Sequence, residues 1–419
     1  MATIKIINRY LITFLFISGC LLVKGQDIPD NYLIEAAKNN PGLKSKFNEY
    51  MSALEQVAQS GSLPDPQLTF GYFIQPVETR VGPQKARISV TQMFPWFGTT
   101  GAKKDAVSEN AKAKYELFEE AKSKIFYDVK SVWYNLYFTR KEADITAKNI
   151  DILNTLRSMA LIKVEAGMTS SVDVLRAEME IADLQNQLLI LRDNIQVIQS
   201  EFNNLLNVND MRPVNIPDTL KNPDLQLARE AIMDSIRSNN HQVLQIGFME
   251  NIYAKQEEVA RKTGKPNLAV GFDYIFVGQS SNTALSASES GRDALVFPMV
   301  GLSVPLYRKK YASAVREAEL MRESSANNKL DKINILATSF AKAERDYNDS
   351  GRRILLFRDQ IVKAGKSLNI LTTEYETDGK NFEDVLSMER RLLKYRMELE
   401  KARADKDAAV AFINYLMGK

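Results

Sequence analysis

The residue types that most often carry catalysis or bind metals are nearly absent from this sequence. His241 is the only histidine and Cys20 the only cysteine, so the usual zinc and copper ligand sets cannot be assembled. We find no phosphate-binding glycine loop, nucleophile elbow or His-Glu-x-x-His pattern. The sequence therefore predicts a protein that is not an enzyme and that needs no metal or cofactor. His241, near a helix start, is interpreted as structural, and the fourteen scattered methionines as core residues.

Two aspartates stand out because their setting is repeated. Asp173 follows Gly167 and opens an Asp-Val-Leu tripeptide; Asp384 follows Gly379 and opens the same tripeptide 211 residues later. Glycine commonly ends a helix in a left-handed turn, and an acid in the first helical turn interacts favourably with the helix dipole. Each aspartate is therefore predicted to lie where one long helix turns back into the next.

Long helices flank each of these turns. After each turn, apolar residues recur at alternating steps of three and four, from Val174 to Leu205 and from Val385 to Leu416, where only Lys406 breaks the pattern. This is the seam of a coiled coil. Before each turn, residues 99–166 and 309–378 lack helix breakers almost completely, and each would be about 100 Å long at ~1.5 Å per residue. Such lengths predict a coiled coil or a helical barrel.

Four other segments alternate between apolar and polar residues with a period of two. They lie near residues 68–75, 87–93, 267–276 and 296–304, and each is close to the length of a tilted transmembrane strand. The small or polar residues assigned to one face are Thr69, Gly71, Ser89, Thr91, Gly271, Asp273, Gly301 and Ser303. On periodicity alone, a soluble sheet beside a coiled-coil stalk fits equally well.

The same order of predicted elements occurs in both halves of the sequence. Each half is predicted to run helix, strand, loop, strand, long helix, tight turn, long helix, and the first helix extends from Pro29 to about Ser60. Asn239-Asn240 lie 200 residues after Asn39-Asn40. Internal similarity on this scale indicates duplication, with structural repeats at 26–212 and 213–419.

Residues 1–25 are predicted to be a signal peptide for export. A basic start with Lys5 and Arg9 precedes an apolar stretch too short to span a bilayer comfortably. Cleavage after Gly25 is the preferred interpretation. The lipobox-like sequence that ends at Cys20 leaves lipidation of that cysteine as the alternative.

Charge and hydropathy limit the partners. The net charge is +3, and residues 1–25 hold three basic residues and no acid, so the mature chain is neutral and is not predicted to bind nucleic acid.

No later apolar run could form a transmembrane helix, so strands would have to enter a membrane. Four strands cannot close a barrel, and open edges in lipid are costly. Two copies would give eight strands with a filled interior, whereas three would give twelve strands and a passage.

The sequence resembles the TolC family of outer-membrane efflux proteins along essentially the whole mature chain. The residues that carry the resemblance are Asn40-Pro41, Gly61 to Leu68, Gly167 with Asp173-Val174-Leu175, and Gly379 with Asp384-Val385-Leu386. The resemblance implies a mainly α fold with a transmembrane β part. In the homotrimer, a twelve-stranded β-barrel with four strands per chain would lie in the lipid of the cell outer membrane. A long coiled-coil-like α-helical barrel would extend through the periplasm.

The resemblance also implies a function and partners. The trimer would be the exit duct of a tripartite efflux or secretion system, passively conducting substrates from a periplasmic adaptor and an inner-membrane pump to the exterior. The expected pump is of the resistance-nodulation-division (RND) type. The cargo is not predicted, since a tunnel transmits whatever its pump delivers.

Site residues follow from the same resemblance. Aspartates matching Asp384 would face the axis and ring the periplasmic entrance, and those matching Asp173 would help hold it shut. Ser387 stands where some members have a second ring aspartate. Asn381 stands where some members have a gate arginine, and Tyr375 is one position from the gate tyrosine. The turns at Gly167 and Gly379 would form the hairpin tips on which the adaptor docks.

Two other functions compete with the duct. One is an exported coiled-coil scaffold whose β segment binds a partner. The other is an interaction protein similar to the periplasmic adaptors, which also carry a helical hairpin; the duplicated long helices argue against it.

Overall fold

The computed structural model describes residues 28–225, 227–280, 290–378 and 380–419. The predicted signal peptide, Cys20 and Gly379 lie outside these residues. The first half contains α1 (Asp30–Asn39), α2 (Pro41–Ser60), β1 (Gln67–Thr79), β2 (Gly82–Phe94), α3 (Thr99–Glu165) and α4 (Val172–Leu205). The second half contains α5 (Arg229–Asn239), α6 (His241–Thr263), β3 (Asn267–Val277), β4 (Ala294–Ser303), α7 (Arg308–Asp378) and α8 (Phe382–Leu416). Both halves therefore follow one order.

The helical stretch predicted from Pro29 to Ser60 is two helices, so that prediction was wrong in one respect. The break falls at Asn40, whose backbone is extended (φ −59°, ψ 121°). Proline disfavours a helical conformation in the residue before it and lacks an N–H, so Pro41 is suited to begin a helix. The Asn40 Oδ1 atom accepts the N–H of Leu43 at 3.1 Å and caps α2.

The two asparagines that mark the repeats make equivalent contacts. The side-chain amide of Asn40 donates to the carbonyl of Leu205, the last residue of α4, at 3.0 Å. The amide of Asn240 donates to the carbonyl of Leu416, the last residue of α8, at 2.9 Å, while its Oδ1 accepts the N–H of Gln242 at 3.0 Å. Each asparagine thus starts one helix and ties it to the end of a long helix.

The four strands form one antiparallel sheet in the order β1-β2-β3-β4, with β1 and β4 at its edges. Residues directly opposite each other share a face, and on one face Phe70 pairs with Ile88, which pairs with Tyr274. The eight small or polar residues named from the sequence lie on the other face, together with Arg87, which stands opposite Gly71. The apolar side of β1 is largely exposed in the single chain.

The long helices form two hairpins, α3–α4 and α7–α8, which pack side by side through α3 and α8. α3 and α7 run unbroken for 67 and 71 residues, about 100 Å each at ~1.5 Å per residue. The predicted seams are correct, since Ala177, Phe202, Val385 and Ile413 are fully buried. Lys406, the break in the second seam, forms an ion pair with Asp224 at 2.7 Å.

No helix in the described ranges is both long enough and apolar enough to cross a membrane.

Candidate gate at the ends of the helical hairpins

The first hairpin turns at Gly167, as predicted. The Gly167 backbone is left-handed (φ +70°), a conformation that costs glycine little. The N–H of Met168 donates to the carbonyl of Lys163 at 2.9 Å, and that of Gly167 to the carbonyl of Val164 at 2.9 Å. This Schellman arrangement satisfies carbonyls that the end of α3 would otherwise leave unpaired.

The second hairpin turns through Asn381, which also has a left-handed backbone (φ 67°). The N–H of Asp384 donates to the carbonyl of Asn381 at 3.0 Å and begins α8. The ammonium group of Lys163, at the end of α3, donates to the carbonyl of Glu376 in the last turn of α7. The two hairpins are thus joined close to their turns.

Asp173 is built into the first hairpin and is almost fully buried. It accepts a hydrogen bond from the hydroxyl of Thr169, and its other oxygen lies 3.5 Å from the guanidinium of Arg176. Burial, and after it the negative charge of Asp173, raise the pKa of Tyr375, which is fully buried with its ring 4.9 Å from that of Phe382. Asp173 is therefore bonded within the first hairpin and lies close enough to the end of α7 for its charge to act on Tyr375.

Asp384 has a different environment from Asp173. Its side chain is exposed, and among the described residues it takes part in no side-chain hydrogen bond or ion pair. Ser387, one turn further along α8, is half-buried. Asp173 and Asp384 do not contact each other. The two repeat-related aspartates therefore differ, since Asp173 is bonded within the first hairpin and Asp384 is an exposed carboxylate.

Four charged residues connect α4 to α8 near the turns, and we call them the tip ion pairs: Arg176, Glu180, Glu383 and Arg390. The Nε atom of Arg176 lies 3.6 Å from Glu383, and Arg390 contacts Glu383 at 2.8 Å and Glu180 at 3.1 Å. The hydrogen bond to Glu383 raises the pKa of Arg390, which therefore keeps its charge. Since α8 packs mainly along α3 and α7, these pairs are a direct link between α4 and α8.

Sequence reasoning missed the tip ion pairs. The offset of 211 residues that relates Asp173 to Asp384 also relates Arg176 to Ser387. Comparing the two repeats position by position would therefore have shown an arginine in one and a serine in the other.

A buried carboxyl lies further along α8, at Glu389. Only 1% of Glu389 is exposed, and its Oε1 atom accepts a hydrogen bond from the amide of Asn149 on α3, while Oε2 has no partner. Burial raises the pKa of Glu389, and the charge of Arg396 and the bond from Asn149 oppose that shift. Glu389 therefore binds a proton more readily in the folded protein than in the unfolded chain.

We expect Glu389→Gln to raise the thermal midpoint of the purified protein at pH 7.5. A carboxyl whose pKa is raised by folding contributes most stability below its unfolded pKa, and that contribution is lost as pH rises through the folded pKa. Glutamine keeps the acceptor for Asn149 without the buried charge. Circular dichroism should show a midpoint higher by roughly a few degrees, with a smaller difference at pH 4.5. The exposed Glu374→Gln is the control, and an unchanged midpoint for Glu389→Gln would contradict the argument.

The remaining candidate groups are possible metal ligands and the single histidine. Within the described parts of the chain, no three His, Cys, Asp or Glu side chains are grouped to hold a metal ion. His241 lies far along the chain from the turns, and its Nδ1 atom is 2.8 Å from Glu116 on α3. That contact joins α6 to α3, which is consistent with a structural role.

Residues 33–208 match the family model described as outer membrane efflux protein. Among solved structures, the fold is similar to CusC, with a TM-score of 0.77, 14% identity and 95% of each chain covered. It is also similar to the outer membrane protein VceC from Vibrio cholerae (TM-score 0.75, 15% identity, 92% of this chain and 95% of that chain). A third is the open state of the MtrE outer membrane channel of Neisseria gonorrhoeae (TM-score 0.73, 13% identity, 93% and 88% covered). No curated protein matches this chain significantly by sequence.

Proposed function

We propose that this chain, whose residues 33–208 match the outer membrane efflux protein family, is the exit duct of a tripartite efflux system. In this proposal three copies enclose one passage, which conducts substrates passively from a periplasmic adaptor and an inner-membrane pump to the exterior. The observation that carries the proposal is an open four-stranded sheet with an apolar face, continued by helical hairpins about 100 Å long. The sheet has the dimensions of part of a barrel, and the hairpins have those of part of a tunnel.

The edges of the single chain support assembly with further copies. β1 and β4 each leave one side of the backbone unpaired, which in lipid costs several kcal/mol for each unsatisfied group. At the level of the hairpins, α4 and α7 lie at the two outer sides of the helical layer, since α3 and α8 are between them. Both ends of the molecule therefore require a neighbour on each side.

The outer sides of α4 and α7 carry exposed apolar residues at matching heights. Met179 is 69% exposed, seven residues after the start of α4, and Ile370 is 60% exposed, eight residues before the end of α7. Higher on the same helices the exposed apolar residues include Ile190 and Val197 on α4, and Val362 and Leu355 on α7. The α4 edge of one copy is therefore complementary to the α7 edge of the next.

The helix turns form the end of the duct that faces the pump in this proposal. Asp384 is one of the exposed carboxylates at that end, and three copies of it would form an acidic ring at the entrance. The tip ion pairs and Asp173 hold the hairpins together in the closed state. The turns at Gly167 and Gly379 are proposed as the surface on which the adaptor docks, and an RND-type pump is proposed as the source of the cargo.

The position of Ile28 favours one of the two interpretations of the leader. Ile28 is buried in the same apolar cluster as Val129 of α3. If the membrane begins near Thr99, Ile28 lies about 30 residues below it along α3, or ~45 Å at ~1.5 Å per residue. The eight residues from Cys20 to Ile28 span at most about 29 Å when fully extended. A lipid on Cys20 would not reach the membrane while α1 stays docked, so we favour cleavage after Gly25.

The proposal is tested by cross-linking the edges that it brings together. We expect Met179→Cys with Ile370→Cys to give a covalent trimer on oxidation in native membranes, resolved by non-reducing electrophoresis. Met179→Cys with Leu355→Cys is the matched control, since the second cysteine is displaced by 15 residues, or about 22 Å along α7. The purified trimer should conduct in planar bilayers, and its intact mass should correspond to an unmodified chain that begins at Gln26.

Other outcomes would indicate the competing functions. A soluble periplasmic monomer without conductance would overturn the duct and favour an exported scaffold. Equal cross-linking in both cysteine pairs would show that the two edges do not meet in the proposed register. Cross-linking from the hairpin turns should capture an adaptor and, through it, a pump; capture of a second outer-membrane channel instead would favour an adaptor-like role.

A further inference from the structure

The polar face of the sheet contains an ion pair that joins the two repeats. Asp273 of β3 stands directly opposite Ser89 of β2, and Arg87 is its diagonal neighbour. The Arg87 guanidinium forms an ion pair with Asp273 and also donates through Nε to the hydroxyl of Ser89 at 3.1 Å. Since β2 belongs to the first half and β3 to the second, this contact crosses the middle of the sheet.

The arginine covers the aspartate. The Asp273 side chain is only 6% exposed, whereas that of Arg87 is 44% exposed. The two strands approach each other closely at Gly271. The lack of space shows this, since a Cβ atom added there would lie 2.5 Å from the carbonyl oxygen of Val90. The Oδ1 atom of Asp273 has no hydrogen-bond partner, so its charge is compensated mainly by Arg87.

The pair lies halfway along the strands and faces away from the apolar side. Arg87 is the sixth of the thirteen residues of β2, and Asp273 is the seventh of the eleven residues of β3. Around them the polar face carries small side chains, such as Thr69 and Gly71. In a closed barrel whose apolar side faces lipid, this side would line the passage.

We propose that the Arg87–Asp273 pair determines the ion selectivity of the barrel by keeping its passage electrically neutral at mid-height. The proposal rests on the proposed function, because three chains must close the barrel to form a ring of three pairs. Charged rings at close quarters select ions by sign. With each aspartate covered by its arginine, the ring favours neither sign, and charged solutes of either sign pass this level.

Breaking the pair from each side should shift selectivity in opposite directions. Asp273→Asn leaves three arginines facing the passage, so the ratio of potassium to chloride permeability should fall by about twofold or more. Arg87→Gln leaves three aspartates, and the same ratio should rise by about twofold or more. Both ratios are obtained from the reversal potential of the reconstituted trimer in a potassium chloride gradient.

The double variant Arg87→Gln with Asp273→Asn is the matched control, since it removes both charges and should restore the parental ratio. Heat-modifiable electrophoresis verifies that each variant assembles. Arg87→Gln buries an unpaired carboxylate and can fail to assemble; the shift in Asp273→Asn and its reversal in the double variant then decide the test. Unchanged reversal potentials in assembled single variants would overturn the proposal. A parental protein that does not conduct would instead contradict the proposed function.

Discussion

Replacing Arg176 and Arg390 together with glutamine is expected to open the resting channel and to raise its conductance by roughly threefold or more. The two arginines form the contacts that link α4 to α8 near the turns, to Glu383 and Glu180 respectively. All four side chains are partly exposed, so each interhelical pair contributes only about 0.2–1 kcal/mol. Six such pairs in a trimer together amount to about 1–6 kcal/mol, enough to shift a closed–open equilibrium about fivefold or more.

The measurement is single-channel conductance of the reconstituted double variant at low and high salt. Each single replacement should give an intermediate result, because one interhelical pair remains in each chain. Lys363→Gln is the control, since Lys363 pairs with Asp359 on the same helix and does not join the hairpins. Parental conductance in an assembled double variant would show that these pairs do not hold the entrance closed.

Replacing Asp384 with alanine is expected to weaken block by multivalent cations about tenfold or more. The carboxylate of Asp384 is exposed, and no described side chain neutralises it by an ion pair. A ring of three such groups would attract a multivalent cation and hold it in the entrance. The readout is the concentration of a trivalent cation that halves the current through the reconstituted channel.

Asp384→Glu keeps the charge and should keep the block, whereas Ser387→Ala removes a neutral neighbour and should change little. Block that persists unchanged in Asp384→Ala would move the narrowest acidic ring to another level of the tunnel. Because Asp173 is bonded to Thr169 and Arg176, its replacement should destabilise the closed state and is not expected to reproduce the effect on block.

The parts of the fold that follow a short local rule were predictable. The spacing of three and four places Ala177 and Val385 in buried seams, and a period of two separates Phe70 from Thr69. Gly167 ends α3 because the left-handed turn favours glycine. These signals need only the residues within one element, and the structure agrees with them.

The rest depends on contacts between elements far apart in sequence. The split at Asn40 has a local signal in Pro41, but the role of its amide appears only when the end of α4 lies beside it. Arg176 and Glu383 are more than 200 residues apart, and they lie on helices of different repeats. Arg87 lies in a segment whose alternation predicts a strand, yet its pairing with Asp273 depends on the order β2-β3.

The free edges of the β1–β4 sheet have a consequence for biogenesis. A single exported chain would carry an apolar sheet face and two unpaired edges through an aqueous compartment, which are the features that drive edge-to-edge aggregation. The same sheet entering lipid alone would leave its edge groups unsatisfied. Neither the isolated chain in water nor the isolated chain in the bilayer is therefore a stable resting point. If the chain enters a membrane as proposed, its insertion must be coupled to association, and the hairpins of two or three copies are the parts able to meet before the strands close.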